Sequence, residues 1–307
     1  MSDKSAIEWT EATWNTWYGC TKVSPGCANC YSERTPPYRM RGAAYRFRRG
    51  RIPLKILSDR MEVPLHWRRP RLIFVNSLSD TFHEDVPDEY LAKLFNVMAQ
   101  ARQHTFQVLT KRPERMREVL FNLAHNSKVL QVPFWPLPNV WLGVTAENQR
   151  MADARIPLLL ETPAAVRFVS CEPLLGPLDL HRWMAYDFPS RLDWVIAGGE
   201  SGGPERRRLV ERCANRLGRH LHIITGCPSA TFAEQLKSGV PCEGWIPTPV
   251  GISRVRSLRD QCAAAGVPFF FKQWGGPRPT SGGHLLDRRT WRAMPVAARQ
   301  REAVGVQ

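Results

Sequence analysis

Leu72–Thr110 reads LIFVNSLSDTFHEDVPDEYLAKLFNVMAQARQHTFQVLT, and three segments of it set the fold class. Leu72–Leu78 is a short, nearly continuous apolar run rich in β-branched and aromatic residues. That is the pattern of a strand buried on both faces. After Pro87, the residues Leu91, Leu94, Phe95 and Met98 fall at i, i+3, i+4 and i+7, one face of a helix. Pro87 suits a helix start, and Asp88 and Glu89 suit the positive end of its dipole. Thr105–Thr110 is again a short apolar run, so the stretch reads strand–helix–strand.

The same rhythm continues outward. Asn139–Thr145 (NVWLGVT), Ala165–Cys171 (AVRFVSC), Leu192–Gly198 (LDWVIAG) and Pro268–Lys272 (PFFFK) read as further strands. Val255, Leu258 and Cys262 form the stripe of another helix, which Gly266 ends. Recurring βα units predict an α/β fold, a partial or full (β/α) barrel with parallel strands, in one domain over 1–307. Ligands in such folds bind at the C-terminal strand ends, and here those ends are polar: Ser79-Asp80, Thr110-Lys111, Thr145-Ala146-Glu147, Cys171-Glu172 and Gly199-Glu200-Ser201. Residues 204–252 break the rhythm and read as an insertion, a basic helix followed by an irregular Pro/Gly-rich stretch.

Bulk properties narrow the class. The chain has 307 residues, 43% of them hydrophobic, with 11 Trp and 13 Phe, which supports a sizeable core and excludes wholesale disorder. There is no run of apolar residues long enough to span a bilayer, and MSDKSAIEWTEATW lacks the layout of a secretion signal, so no membrane association and a cytoplasmic location are expected. The formal net charge is +15. It is uneven: residues 39–71 carry eleven Lys/Arg against Asp59 and Glu62. A nucleic acid or nucleotide partner suits that surplus, as does a plain solvated basic face.

Eight cysteines in a reducing compartment point to metal rather than disulfides. Cys20, Cys27 and Cys30 fall within the segment 15–34, NTWYGCTKVSPGCANCYSER, spaced C-x6-C-x2-C, and Ser24-Pro25-Gly26 makes a turn between them. Three thiolates on one loop suit a [4Fe–4S] cluster with its fourth iron open. A structural zinc is the rival, with Cys227, Cys242, His66 or His83 as a fourth ligand. Unliganded loop cysteines are the third reading.

Asn15, Gly19, Cys20, Cys27, Cys30 and Tyr31 give the segment a further likeness. It resembles the cluster loop of radical S-adenosylmethionine enzymes, particularly the spore photoproduct lyase-like branch. More widely, the phrases VNSLSDTFHE, LTKRPERM, VWLGVTAEN, SCEPLLGPLDL, AGGESG and GVPFFFKQWGG are similar to those of a phage-encoded three-cysteine-motif family of uncharacterised proteins. The resemblance covers about residues 5–203 and 253–295. Two departures are a longer first spacing than the common C-x3-C and Asn29 where an aromatic residue usually precedes the last cysteine.

The resemblance implies a radical-SAM-like barrel, an iron–sulfur cluster on Cys20, Cys27 and Cys30, S-adenosylmethionine as cofactor, and a reductant partner such as flavodoxin or ferredoxin. It implies Lys111 as the cation for the cofactor carboxylate, and Ser79, Asp80 and Thr145 for its amino and ribose groups. Glu172 and Glu200 are left for further polar contacts or substrate. Cys171, at a strand end expected to face the cavity, would return a hydrogen atom to a product radical, and Tyr31 would relay an electron or proton; read from the residues alone, Cys171 is a small buried hydrophobe and Tyr31 packs the loop. The function expected is repair or modification of a nucleic acid or nucleotide. The alternative is a non-catalytic nucleic-acid-binding phage protein stabilised by zinc or an iron–sulfur cluster.

Overall fold

A computed structural model describes residues 5–35, 38, 47–125, 135–185, 190–212 and 245–296. Its centre is a seven-stranded, wholly parallel sheet. The strands are β1 (Ala12–Trp14), β4 (Leu72–Val75), β5 (Thr105–Thr110), β6 (Val140–Thr145), β7 (Val166–Cys171), β8 (Trp194–Gly198) and β11 (Phe269–Gln273), hydrogen-bonded in that order. Every neighbouring pair is parallel. Helices α1 (Asp88–Gln100), α2 (Pro113–His125), α3 (Gln149–Glu161), the single turn α4 (His181–Met184) and α5 (Pro249–Ala264) fill the connections. The six strands expected from the apolar runs are present. β1 is the seventh, too short and too rich in Trp and Thr to stand out in the sequence.

The two faces of the sheet differ, and strand alternation sorts them. Val108, Val144, Val169 and Val195 point to the helices and join their apolar stripes in one large core. Phe74, Trp141, Phe168, Trp194 and Phe270 point the other way and form a second, aromatic core with Trp9. Trp9 stacks 4.7 Å from the Phe74 ring on β4 and 6.2 Å from the Trp194 ring on β8. In a flat sheet β4 and β8 stand roughly 19 Å apart, four spacings of about 4.8 Å. One indole reaches both because the sheet curls, and the fold is α/β with a parallel half-barrel. Trp9 and the other rings close the hollow at the end where the strands begin.

Two small antiparallel pairs sit beside the sheet. β2 (Trp17–Thr21) pairs with β3 (Arg51–Ile56), and β9 (Val210–Arg212) pairs with β10 (Trp245–Pro247). Arg212 and Trp245 are register partners, so residues 213–244 leave and return on one rung of that ladder. Most of the expected insertion 204–252 and its basic helix, Cys213, Cys227 and Cys242, and Arg39, Arg41 and Arg46 of the basic segment lie outside the described residues. Among the described residues no helix is long and apolar enough to cross a membrane.

Candidate metal centre

The chain enters the site along β1 and β2. Asn15, just past the C-terminal end of β1, accepts from the Leu78 N–H at 2.9 Å, and Thr16 donates its N–H to Asn76 Oδ1 at 2.9 Å. These bonds fasten the start of the cysteine segment to the end of β4, so the segment is set at the C-terminal rim of the sheet. Cys20 lies in β2, Cys27 ends a short 3-10 turn (Pro25–Cys27), and Cys30 precedes a second (Tyr31–Arg34).

Four carboxylates stand around that rim, one after each of four strands, and each faces a cation, with Arg112 shared between Asp80 and Glu84. Asp80 lies 3.2 Å from Arg112, Glu147 3.0 Å from Arg155, Glu172 2.6 Å from Lys272 and Glu200 2.7 Å from Arg207. Three of the pairs hold the cysteine segment. Glu147 accepts the Gly26 N–H at 2.9 Å and bonds the Ser24 hydroxyl. Glu200 accepts from Asn29 Nδ2 at 3.2 Å, and its partner Arg207 donates to the Pro25 carbonyl at 2.8 Å. Arg112 donates to the Thr21 carbonyl at 2.9 Å and points Nη1 at the Cys20 sulfur, 3.9 Å away. Asn29, which departs from the aromatic residue of the resembled loop, is therefore one of the fastenings.

Burial of Glu147 opposes its charge, but Ser24, Arg155 and the Gly26 N–H outweigh it and hold the carboxyl below its ordinary pKa. Burial, then the Asp80 carboxylate, pushes the Cys20 thiol up to about 12; Arg112 pulls it down, and the Cys27 and Cys30 sulfurs add to the rise. The Cys20 sulfur thus feels the other two, and all three are half-buried, unlike the core cysteines Cys171 and Cys262. Among the described residues no three His, Cys, Asp or Glu side chains are already closed into a ligand set.

Neither His66 nor His83, the two histidines expected as a fourth ligand, completes a four-ligand site. His83 is fully buried, with Nε2 on the Thr21 hydroxyl at 2.9 Å and Nδ1 accepting the Asp85 N–H at 3.1 Å. His66 ends a turn whose Pro64 carbonyl bonds His104, just before β5 begins, at the opposite end of the sheet. Of the fourth ligands expected for zinc, that leaves Cys227 and Cys242, which lie outside the described residues.

The sequence-expected residues divide into two groups. Ser79 and Asp80 are spent on the protein. The Ser79 hydroxyl donates to the Trp17 carbonyl at 3.3 Å. Asp80 accepts from the Thr110 hydroxyl at 2.6 Å and from the Lys111 and Phe82 N–H groups at 2.9 and 3.0 Å. Glu200 is spent on Arg207 and Asn29. Lys111 and Thr145 remain, and Glu172 is held by Lys272. The Lys111 ammonium has no partner among the described residues, and the buried Thr145 hydroxyl makes no hydrogen bond. Glu172 lies over β8, its carboxyl carbon 3.2 Å from where a Cβ on Gly198 would be, with Lys272 of β11 across from it.

Tyr31 keeps 49% of its surface exposed while its hydroxyl donates to the Ser77 carbonyl. Burial of that hydroxyl, then the Cys30 sulfur and Glu172, pushes its pKa up. Cys171 does not face the cavity and takes its other reading, a small buried hydrophobe. Its side chain is 0% exposed and packs in the core on the helix side of β7, where burial and then the nearby Cys262 raise its pKa. Val166, Phe168 and Ser170 have the inward parity, and Cys171 has the outward one.

Arg112, Arg155, Arg207 and Lys272 are residues of the candidate site that the sequence did not point to. Arg112 directly follows Lys111, a signal that was available. The other three come from the next helix, from the start of the irregular region and from a distant strand, and no local pattern marks them.

A family model described as Protein of unknown function (DUF5131) matches residues 4–220 and 244–295. The break in the match falls within the segment that leaves and returns on the β9–β10 rung. No curated protein and no solved structure matches.

Proposed function

The chain belongs to the family described as Protein of unknown function (DUF5131), and we propose that it is an iron–sulfur enzyme of the radical S-adenosylmethionine type acting on a nucleic acid or nucleotide. One observation carries the proposal: three half-buried thiols on one segment are fastened across the C-terminal rim of a parallel half-barrel, beside polar groups left unspent. Loaded with a [4Fe–4S] cluster, such a site supplies an electron to the sulfonium of S-adenosylmethionine.

The chain's own residues do the positioning. Lys111 offers a carboxylate its cation, and Thr145 offers a hydroxyl at no cost in existing bonds. The Glu172–Lys272 pair presents both signs of charge on the same inner face. Beneath them, the aromatic layer around Trp194 keeps water from the floor of the hollow.

The second reading is a metal-stabilised nucleic-acid-binding protein without catalysis. The use of Asp80 and Glu200 as fastenings favours it, because a rim spent on structure leaves fewer groups for chemistry.

Anaerobic reconstitution with iron and sulfide separates the two. The wild type is expected to take up a [4Fe–4S] equivalent and, with dithionite and S-adenosylmethionine, to release 5′-deoxyadenosine. Cys20→Ala, Cys27→Ala and Cys30→Ala should each lose both. An intact cluster that yields no 5′-deoxyadenosine rejects the enzyme, and one zinc with no iron or sulfide supports the second reading.

A further inference from the structure

The strand β3 opens on a tight hairpin that neither the fold nor the cysteine segment requires to be basic. Arg48 and Arg51 exchange N–H···O bonds of 3.0 Å in both directions. The two residues between them, Arg49 and Gly50, have φ of 49° and 81°. Positive φ at both central positions is the geometry of a type I′ turn, for which Asn-Gly is the favoured sequence. Glycine meets that demand at position 50. Arginine meets it poorly at position 49, because a long side chain is uncommon in the left-handed region. The turn gives up favourable backbone chemistry and gains a charge.

The ribbon continues in kind. Residues 47–58 read FRRGRIPLKILS and hold no acid. On β3, Ile52 is buried, while Arg51, Pro53 and Lys55 are exposed on the outer face. With Arg48 and Arg49, also exposed, they make a face of four cations around one proline. Arg51 reaches Asp85 at 2.6 Å but keeps 57% of its side chain exposed, and such a surface pair yields readily to a stronger anion. Arg48, Arg49 and Lys55 have no acidic partner among the described residues.

The position of this face matters as much as its charge. Arg51 is the register partner of Thr21, and Ile52 that of Cys20. Gly50 accepts the Lys22 N–H at 2.8 Å. Whatever docks on the hairpin lies one rung from the first cysteine.

We propose that the Arg48–Lys55 hairpin is a docking element for duplex nucleic acid, gripping the phosphate backbone and bringing a nucleotide to the cysteine segment. The inference deepens the nucleic-acid part of the function proposed above, and rests on it for the substrate class. Three features choose the partner. Phosphates match the surplus of charge on a chain with net +15. Arg49, Arg51 and Lys55 lie along one exposed face of an extended segment, an arrangement that can follow a line of backbone phosphates. Among the described residues, the outer face carries no exposed aromatic ring on which single-stranded bases would stack, and no apolar wedge for a lipid surface. Pro53 on the outer strand removes a backbone donor, which disfavours the edge as a site for pairing another strand.

The test is fluorescence anisotropy with a short fluorescein-labelled DNA duplex, titrated at several salt concentrations. The protein is the full chain, wild type against Arg48→Gln/Arg49→Asn/Lys55→Gln. Arg49→Asn leaves an Asn-Gly turn, so the hairpin itself is kept or strengthened. The variant is expected to bind at least about tenfold more weakly at fixed moderate salt. Its slope of log K against log salt should be shallower by about 2 to 3, since each phosphate left without its cation removes about 0.9. Arg49→Asn alone should show a smaller loss of the same kind, and Arg48→Lys/Arg49→Lys should retain binding.

Unchanged affinity and slope in the folded triple variant overturn the inference. So does a wild type that prefers the single strand, or one that binds anionic vesicles and not the duplex. The measurement needs neither cluster nor reductant. Hairpin-dependent duplex binding by a chain that makes no 5′-deoxyadenosine would keep this inference and remove the enzyme.

Discussion

The two ends of the inner face share strands but not chemistry. On β6, the same face passes from Trp141 through Gly143 to Thr145; on β7, from Phe168 to Ser170; on β8, from Trp194 through Ile196 to Gly198. Four residues of strand span roughly 13 Å. Over that distance an aromatic layer with Trp9 at its centre gives way to four carboxylate–cation pairs. The lower layer buries large rings and holds the curl. The upper layer buries charge, which is costly unless every charge is matched, and it uses the matched groups to fasten a segment bearing three thiols. Stability and candidate chemistry are placed at opposite ends of the same strands, so they can be perturbed separately.

The largest expected effect falls on the lower layer. Trp194→Ala removes the ring that meets Trp9, Trp141, Phe168 and Phe270. A loss of about 3–5 kcal/mol is expected, read as a lower denaturant midpoint. Under native conditions the alkylation rates of the rim cysteines should stay those of the wild type. Faster alkylation in the folded variant would mean that the two ends are not separable.

A smaller effect is expected from Glu147→Gln in the upper layer. The change keeps the shape, removes the charge facing Arg155, and weakens the bonds to Ser24 and the Gly26 N–H. A cost of about 1–3 kcal/mol follows, with faster alkylation at Cys27. The sign of its pH dependence is fixed by the depressed pKa of Glu147. As pH falls, the unfolded chain takes up this proton before the folded one does. The stabilisation is fully present above the ordinary carboxylate pKa and is lost as pH drops towards the lowered folded value. The stability gap between wild type and Glu147→Gln should therefore narrow in acid. Parallel curves down to that range would show that Glu147 is not the group holding the segment.

What the sequence disclosed, and what it did not, divides along the same line. The lower layer and the helices come from local periodicity, so LIFV, FVSC and FFFK could be read as strands directly. The rim acids were legible because polarity returns where each strand ends. Three of their cations were not. Arg155 reaches Glu147 from the next helix, Arg207 reaches Glu200 from the start of the irregular region, and Lys272 reaches Glu172 across β8. Such pairings exist only once the sheet has curled. The same limit separates Asp80 and Glu200, which are committed to the protein, from Thr145 and Lys111, which are not: their sequence contexts look alike. The inward or outward turn of Cys171 depends on the parity of β7, and a run apolar on both faces carries no parity signal.

The smallest expected effect tests that parity. Cys171→Ala removes one sulfur from the helix-side core, near Cys262, whose own sulfur meets Met184 at 4.0 Å. The cavity left is small, and a loss of about 1 kcal/mol is expected. Because the side chain faces the helices, iron uptake and 5′-deoxyadenosine yield should match the wild type, while Cys30→Ala loses both. A hydrogen donor in the hollow would behave differently, since its removal would abolish turnover of substrate without touching the fold or the uptake of iron. That pattern in Cys171→Ala would place the sulfur on the inner face and undo the alternation on which the separation of the two layers rests.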